Sequence, residues 1–216
     1  MDAPRGPPPA SRRDDRHRTG ARRRRAARPR PRHAEPRPQP AEPPRRRRRD
    51  RYVFATSELF SPNWIGGIKP ADDICKQLAN KADLPNPFTF TAWLSDSQSN
   101  AIDRLYPGQG RYLRPDGVVV ALGAQQFTSA TLLAPIQTDE YGEPLDPGGV
   151  WTGTGPDGIV VPGADNCSDW TSDSLLENGH LGDNSVMNDR WTFIADPDVN
   201  PTSCALSFHL YCIEGK

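Results

Sequence analysis

The side chains best suited to chemistry fall in one acidic, turn-rich stretch, residues 138–188. Asp139, Glu140, Asp165, Asn166 and Asp169 stand there with further oxygen donors at Glu143, Asp146, Asp157, Asp173 and Asn184. Calcium is held by about six to eight carboxylate, amide and carbonyl oxygens, so the stretch has the donor types for a calcium site. Its spacing matches no EF-hand. Asp and Asn also close turns on their own backbone, and that use competes with metal binding. Trp151 and Trp170 punctuate the same stretch, and Trp191 follows it. Tryptophans on loops anchor ligands, and tryptophans in a small domain equally fill its core.

Catalytic readings find less support. A serine or cysteine nucleophile needs a base within reach. Beyond residue 51 the histidines are His180, in a Gly-rich context, and His209, on an alternating apolar run that directs it outward. Carboxylates are plentiful, yet no spacing singles out an acid–base pair. Phosphate-cradling and dinucleotide glycine patterns are absent, so no nucleotide is expected. The expectation is a protein that is not an enzyme and needs no cofactor unless calcium binds.

The cysteines are Cys75, Cys167, Cys204 and Cys212. No C-x-x-C pair points to a zinc knuckle or a dithiol redox site, and four cysteines allow three connectivities. An even count in a loop-rich chain favours disulfides and an oxidising compartment; four free thiols in a reducing cell is the alternative. A nested arrangement, Cys75 with Cys212 and Cys167 with Cys204, would tie a helix to a strand and a loop to a strand. Closing loops this long contributes about 4–5 kcal/mol each in the chain-entropy model.

These groups need elements to hold them. Tyr52 to Thr56 is β-prone, as are Phe88 to Leu94, Gly149 to Thr152, Trp191 to Phe193 and Leu206 to Cys212. Pro70 to Ala79 reads as a helix, with Pro70 in its first turn and Ile74 and Leu78 on one stripe. Ala101 to Leu105 predicts a second, short helix. Asp116-Gly117 between apolar runs predicts a hairpin over Tyr112 to Ala121. The sum is an α+β domain with one or two helices, short antiparallel strands and a long loop region.

The chain has 216 residues and a formal net charge of zero, but the charge is unevenly placed. Residues 1–50 carry an excess of twelve positive charges and the remainder an excess of twelve negative ones. That first segment contains no Val, Ile, Leu, Phe, Tyr or Trp. Without apolar surface to bury, it cannot offset the cost of ordering its backbone. The expected division is a disordered Arg/Pro-rich tail, 1–51, and one domain, 52–216. The Arg runs suit a salt-dependent nucleic-acid arm. The same composition also results when GC-rich DNA is translated from a wrong start, which would hide a secretory signal. The 18 or more consecutive apolar residues of a membrane span are missing, as is the shorter apolar run of a secretory signal.

The order Gly66-Gly67, Ala71-Asp72-Asp73-Ile74-Cys75, Ala92-Trp93-Leu94-Ser95-Asp96-Ser97 and Asp116-Gly117 through Val120-Ala121 resembles a bacterial extracellular domain family of uncharacterised function. The resemblance continues through Ala134-Pro135-Ile136, Asp139-Glu140-Tyr141-Gly142, Val150-Trp151-Thr152-Gly153-Thr154, Cys167-Ser168-Asp169-Trp170-Thr171 and Leu210-Tyr211-Cys212. It spans nearly all of 52–216 and none of the tail. It implies a C-type-lectin-like, endostatin-like fold, the nested disulfides, and a secreted or surface-attached monomer. The resemblance implies little about ligand; the leading expectation is a ligand-binding or adhesion module whose partner is an extracellular carbohydrate, peptide or matrix component, with specificity in the loops between about residues 138 and 190. Calcium-dependent lectins carry Glu-Pro-Asn or Gln-Pro-Asp and later Trp-Asn-Asp; this chain has Glu143-Pro144-Leu145 and Asn188-Asp189-Arg190-Trp191. The histidine cluster with which endostatins bind zinc has no counterpart. A structural, envelope-associated domain without a small ligand is the competing expectation.

Overall fold

The computed structural model describes residues 50–129 and 131–216. The expected tail disorder and nucleic-acid arm lie outside the described residues, except that Arg51 already opens the first strand.

The last strand organises the domain. β9 (His209–Glu214) pairs antiparallel with β1 (Arg51–Ala55), Phe54 facing Cys212, and antiparallel with β2 (Phe90–Ala92), Thr91 facing Ile213. Its start pairs in parallel with β5 (Gly149–Trp151), Val150 facing His209. β1 also pairs in parallel with β3 (Gln109–Leu113), which forms the expected hairpin with β4 (Val119–Gly123). Gly117 closes that hairpin at a φ of 89°, where a β-carbon would be strained. β5 continues the sheet to β7 (Leu181–Asp183), while β6 (Asn178–Gly179) and β8 (Thr202–Ser203) form a separate short ribbon. The result is mixed α+β with a curled, mixed sheet rather than purely antiparallel strands.

Period-two patterning predicts one buried face for the last strand, but Leu210, Tyr211, Cys212 and Ile213 are all buried. The reason is that both faces are covered. Leu210 and Cys212 meet a cluster with Phe54, Phe90, Leu94, Trp151 and Trp170 beneath the main helix. Tyr211 and Ile213 meet a second cluster built around Trp93, Tyr112, Phe127 and Trp191. A strand covered on both sides loses alternation.

α1 (Pro62–Ile65) is a single turn, and α2 (Ile68–Lys81) is the expected helix, longer by two residues at each end. Ala71, Cys75, Leu78 and Ala79 form its buried stripe. Asp72 on α2 accepts hydrogen bonds from Ala92 N and Thr91 Oγ1 and pairs with Arg104 at 2.7 Å, which fixes α2 against β2. The short helix expected at 101–105 is a 3-10 turn, Ile102–Arg104. The strand expected at Trp191 to Phe193 is replaced by a 3-10 turn, Asp189–Trp191, because Asn188 Oδ1 accepts from Arg190 N and caps it.

Cys75 is bonded to Cys212 and Cys167 to Cys204, so the nested pairing is present and the free-thiol alternative is not. The first bond joins α2 to β9 inside the core. The second joins α3 (Asn166–Trp170) to the segment that leads into β9. No helix of the described residues is long and apolar enough to cross a membrane.

Candidate functional site

α3 is left-handed. Its five residues have φ values of 45°, 60°, 50°, 55° and 67°, and none is glycine. A left-handed turn costs L-residues roughly 1–2 kcal/mol each, so its surroundings must enforce it. Cys167 is pinned by its disulfide. The Trp170 indole donates to Ser95 O at 2.9 Å, and Trp170 O accepts from Gly67 N at 3.0 Å. Asp169 accepts from Ser97 N and Oγ. Asn166 is fully buried, and its Nδ2 donates to Ser95 O and Gly153 O. Gly153 must be glycine: a Cβ there would lie 2.5 Å from Asn166 Nδ2 and 2.7 Å from the Trp170 ring.

This geometry decides what the sequence candidates do. Asp165 Oδ1 accepts from Cys167 N and caps the turn. Asp139 Oδ1 accepts from Tyr141 N and Glu143 N and closes a turn of its own. Glu140 is buried and spends both oxygens on Ser57 N and Oγ. Asp139 and Glu140 thus hold backbone of their own turn and of Ser57, while Asp165, Asn166 and Asp169 all serve the left-handed turn. Among the described residues, no three His, Cys, Asp or Glu side chains gather as a metal-binding group. The ligand-stacking reading of Trp151, Trp170 and Trp191 is corrected: each is at most 1% exposed. Trp151 packs edge-on against Trp170, and Trp191 lies tilted against Trp93 and Tyr211.

Beside the left-handed turn, His180 lines a hollow of about 220 Å³ with Asp165, Asn178 and Pro201. Its Nδ1 lies 3.3 Å from Asn166 Oδ1, and its ring stacks near Phe193. Burial lowers the His180 pKa below the ordinary value, with the Asp165 carboxylate opposing. Burial thus favours the neutral imidazole, which contacts an amide and, among the described residues, has no serine or cysteine hydrogen-bonded to it.

The larger cleft, about 420 Å³, opens where β5, β7 and the segment 194–208 meet. Leu181, Ile194 and Phe208 give it an apolar floor, and Asp183 and Asp198 give it an acidic rim. Each wall is fixed by a buried asparagine. Asn200 Oδ1 accepts from Leu181 N, while its Nδ2 donates to Leu181 O and Ile194 O, locking the 194–200 segment to β7. Asn184, also buried, accepts from Gly148 N and donates to Asp146 O, locking the entry to β5. Asn184 was a calcium candidate by residue type; here its amide is a clamp. Gly149 lets Phe208 lie against the strand, since a Cβ would come 2.8 Å from that ring. Phe208 in turn packs edge-on against Trp151 at 5.0 Å. The volume, apolar lining and few polar groups are those of a small-ligand seat.

Leu181, Asp183, Ile194, Asp198 and Phe208 were not among the sequence candidates. They come from three separated segments, brought together by the sheet register and by the Asn200 clamp. No protein-family model matches this chain, and no curated protein matches it in sequence.

Proposed function

We propose that residues 52–216 form a non-enzymatic extracellular ligand-binding or adhesion module with a C-type-lectin-like fold, and that the cleft between β5, β7 and residues 194–208 is its ligand seat. The observation that carries this reading is the cleft itself: an apolar floor walled by buried asparagine clamps. Preformed walls reduce the ordering cost of binding. Two disulfides are compatible with an oxidising, extracellular setting. The mixed α+β sheet and the residue order resembling an extracellular domain family support the fold reading.

The test is a ligand screen on the oxidised full-length protein with extracellular peptides, glycans and matrix fragments, read by amide chemical shifts. A ligand seated in the cleft moves the amides of Gly148, Leu181 and Val199. Val199 is on the rim and 38% exposed, so Val199→Trp fills the cleft without touching the core. That variant is expected to lower affinity at least tenfold while leaving the melt unchanged. Binding that is indifferent to Val199→Trp removes the cleft as the seat.

A further inference from the structure

The cleft's polar groups are one-sided. Asp183 Oδ1 accepts from Ser185 N and Oγ at 2.9 and 2.6 Å, which holds the carboxylate in place and leaves Oδ2 without a hydrogen-bond partner among the described residues. The Asp198 carboxylate has no hydrogen-bond partner, and neither acid has an ion-pair partner among the described residues. Among the described residues, no Lys, Arg or His lines the cleft. The floor beneath these acids is Leu181, Ile194 and Phe208, apolar and largely shielded from water. Carboxylates beside low-dielectric walls focus a field that favours cations and rejects anions.

We propose that the cleft takes a cation carried on an apolar stem: an ammonium or guanidinium group of the lysyl or arginyl kind. The stem lies on Leu181, Ile194 and Phe208 while the charged head stays at the rim between Asp183 and Asp198. Long basic side chains divide themselves in this way, stem buried and head wet. An anionic group of the same length meets two uncompensated carboxylates, and a neutral one gains the floor without the rim. This assignment rests on the cleft being the ligand seat, and the experiment separates the two.

Hexylammonium, 1-hexanol and hexanoate share one stem and differ in the head group. Each is titrated into the oxidised full-length protein, following the amides of Gly148, Leu181 and Val199. Hexylammonium is expected to bind at least tenfold more tightly than hexanol, and hexanoate not to move these amides. The preference shrinks as salt rises, because rim charges are screened. In the Asp183→Asn/Asp198→Asn variant, hexylammonium falls to within about twofold of hexanol, and hexanol itself is unchanged. Should that variant fold poorly, Asp198→Asn alone, at an exposed position, reads out half of the effect. Equal binding of hexylammonium and hexanol by the native protein overturns the proposal and leaves the cleft as a neutral seat. A preference that survives loss of both acids also overturns it. Silence from all three probes overturns the cleft as a seat together with its charge. Nα-acetyl-lysine N-methylamide is the fourth probe. If it binds like hexylammonium, the cation comes from a peptide side chain; if only hexylammonium binds, the source is a free amine. Either result supports the cationic assignment.

Discussion

His180 is the titrating group whose environment departs most clearly from water in the physiological range. Its neutral form is favoured because the ring is buried against Phe193 and Asn166, and Asp165 compensates only in part. An ordinary histidine takes its proton near pH 6.5. As pH falls through about 6.5 the unfolded chain therefore binds a proton that the folded one resists. Stability is complete above the unfolded pKa and is lost as pH falls through the lowered folded value. Thermal melts of the native protein and of His180→Gln across that window check this. The native Tm is expected to fall more steeply with acid than that of the variant. Parallel pH profiles would show that the imidazole titrates as if exposed. The buried asparagines illustrate a second point at this scale. Asn166, Asn184 and Asn200 use their amides to hold backbone groups, and for Gly148 N and Leu181 N the asparagine oxygen is the acceptor. Leaving such groups unpaired costs roughly 1–3 kcal/mol each.

Among the elements, α3 shows most plainly what strain requires. Its five left-handed residues persist because a disulfide, an indole hydrogen bond and two side-chain clamps all demand that geometry. Ser168 is the exposed member, with a φ of 50° and one side-chain bond to Glu177 at 3.1 Å. Glycine pays no steric penalty there but has more unfolded-state entropy to lose. Relief of the strain is set against that entropy and against the lost bond to Glu177, so Ser168→Gly is expected to stay within about 0.5 kcal/mol of the native protein. Ser168→Ala loses the same hydrogen bond to Glu177 but keeps the strain, and should lie roughly 1 kcal/mol below the glycine variant. Denaturant melts order the three proteins, and alanine equal to glycine would mean the turn carries no strain. The elements also differ in how far the sequence reveals them. α2 carries its apolar stripe and Pro70, and the β3–β4 hairpin carries Asp116-Gly117, so local chemistry suffices for both. The order Asn166-Cys167-Ser168-Asp169-Trp170 holds no glycine and reads as an ordinary turn; its handedness is imposed from Ser95, Ser97 and Cys204. The aromatic residues at 151, 170 and 191 are legible as large, but their burial depends on two core clusters formed across the sheet. The cleft is least legible of all, because β5, β7 and Phe208 meet only through pairings with β9 and β7.

At the scale of the whole domain, the two disulfides restrain different parts of the molecule. Cys75–Cys212 joins residues 137 apart and crosses the core between α2 and the central strand. Cys167–Cys204 joins residues 37 apart and holds the left-handed turn to the strand entry that also lines the cleft. Chain entropy alone assigns about 5 kcal/mol to the first and about 4 kcal/mol to the second. The second figure overstates the loss, because freeing Cys167 also lets α3 relax its strained backbone. Cys75→Ala/Cys212→Ala should therefore lower global stability the more, with amide exchange quickening in α2 and β9 together. Cys167→Ala/Cys204→Ala should leave α2 and β9 protected and quicken exchange in residues 163–180 and 196–206, the walls of the His180 hollow and of one side of the cleft. Hydrogen exchange followed by mass spectrometry distinguishes the two. Uniform acceleration in both variants would show one cooperative unit. The expected split would show a rigid sheet-and-helix frame carrying a separately stapled loop layer, with the cleft beside β5 and β7 on the boundary between them.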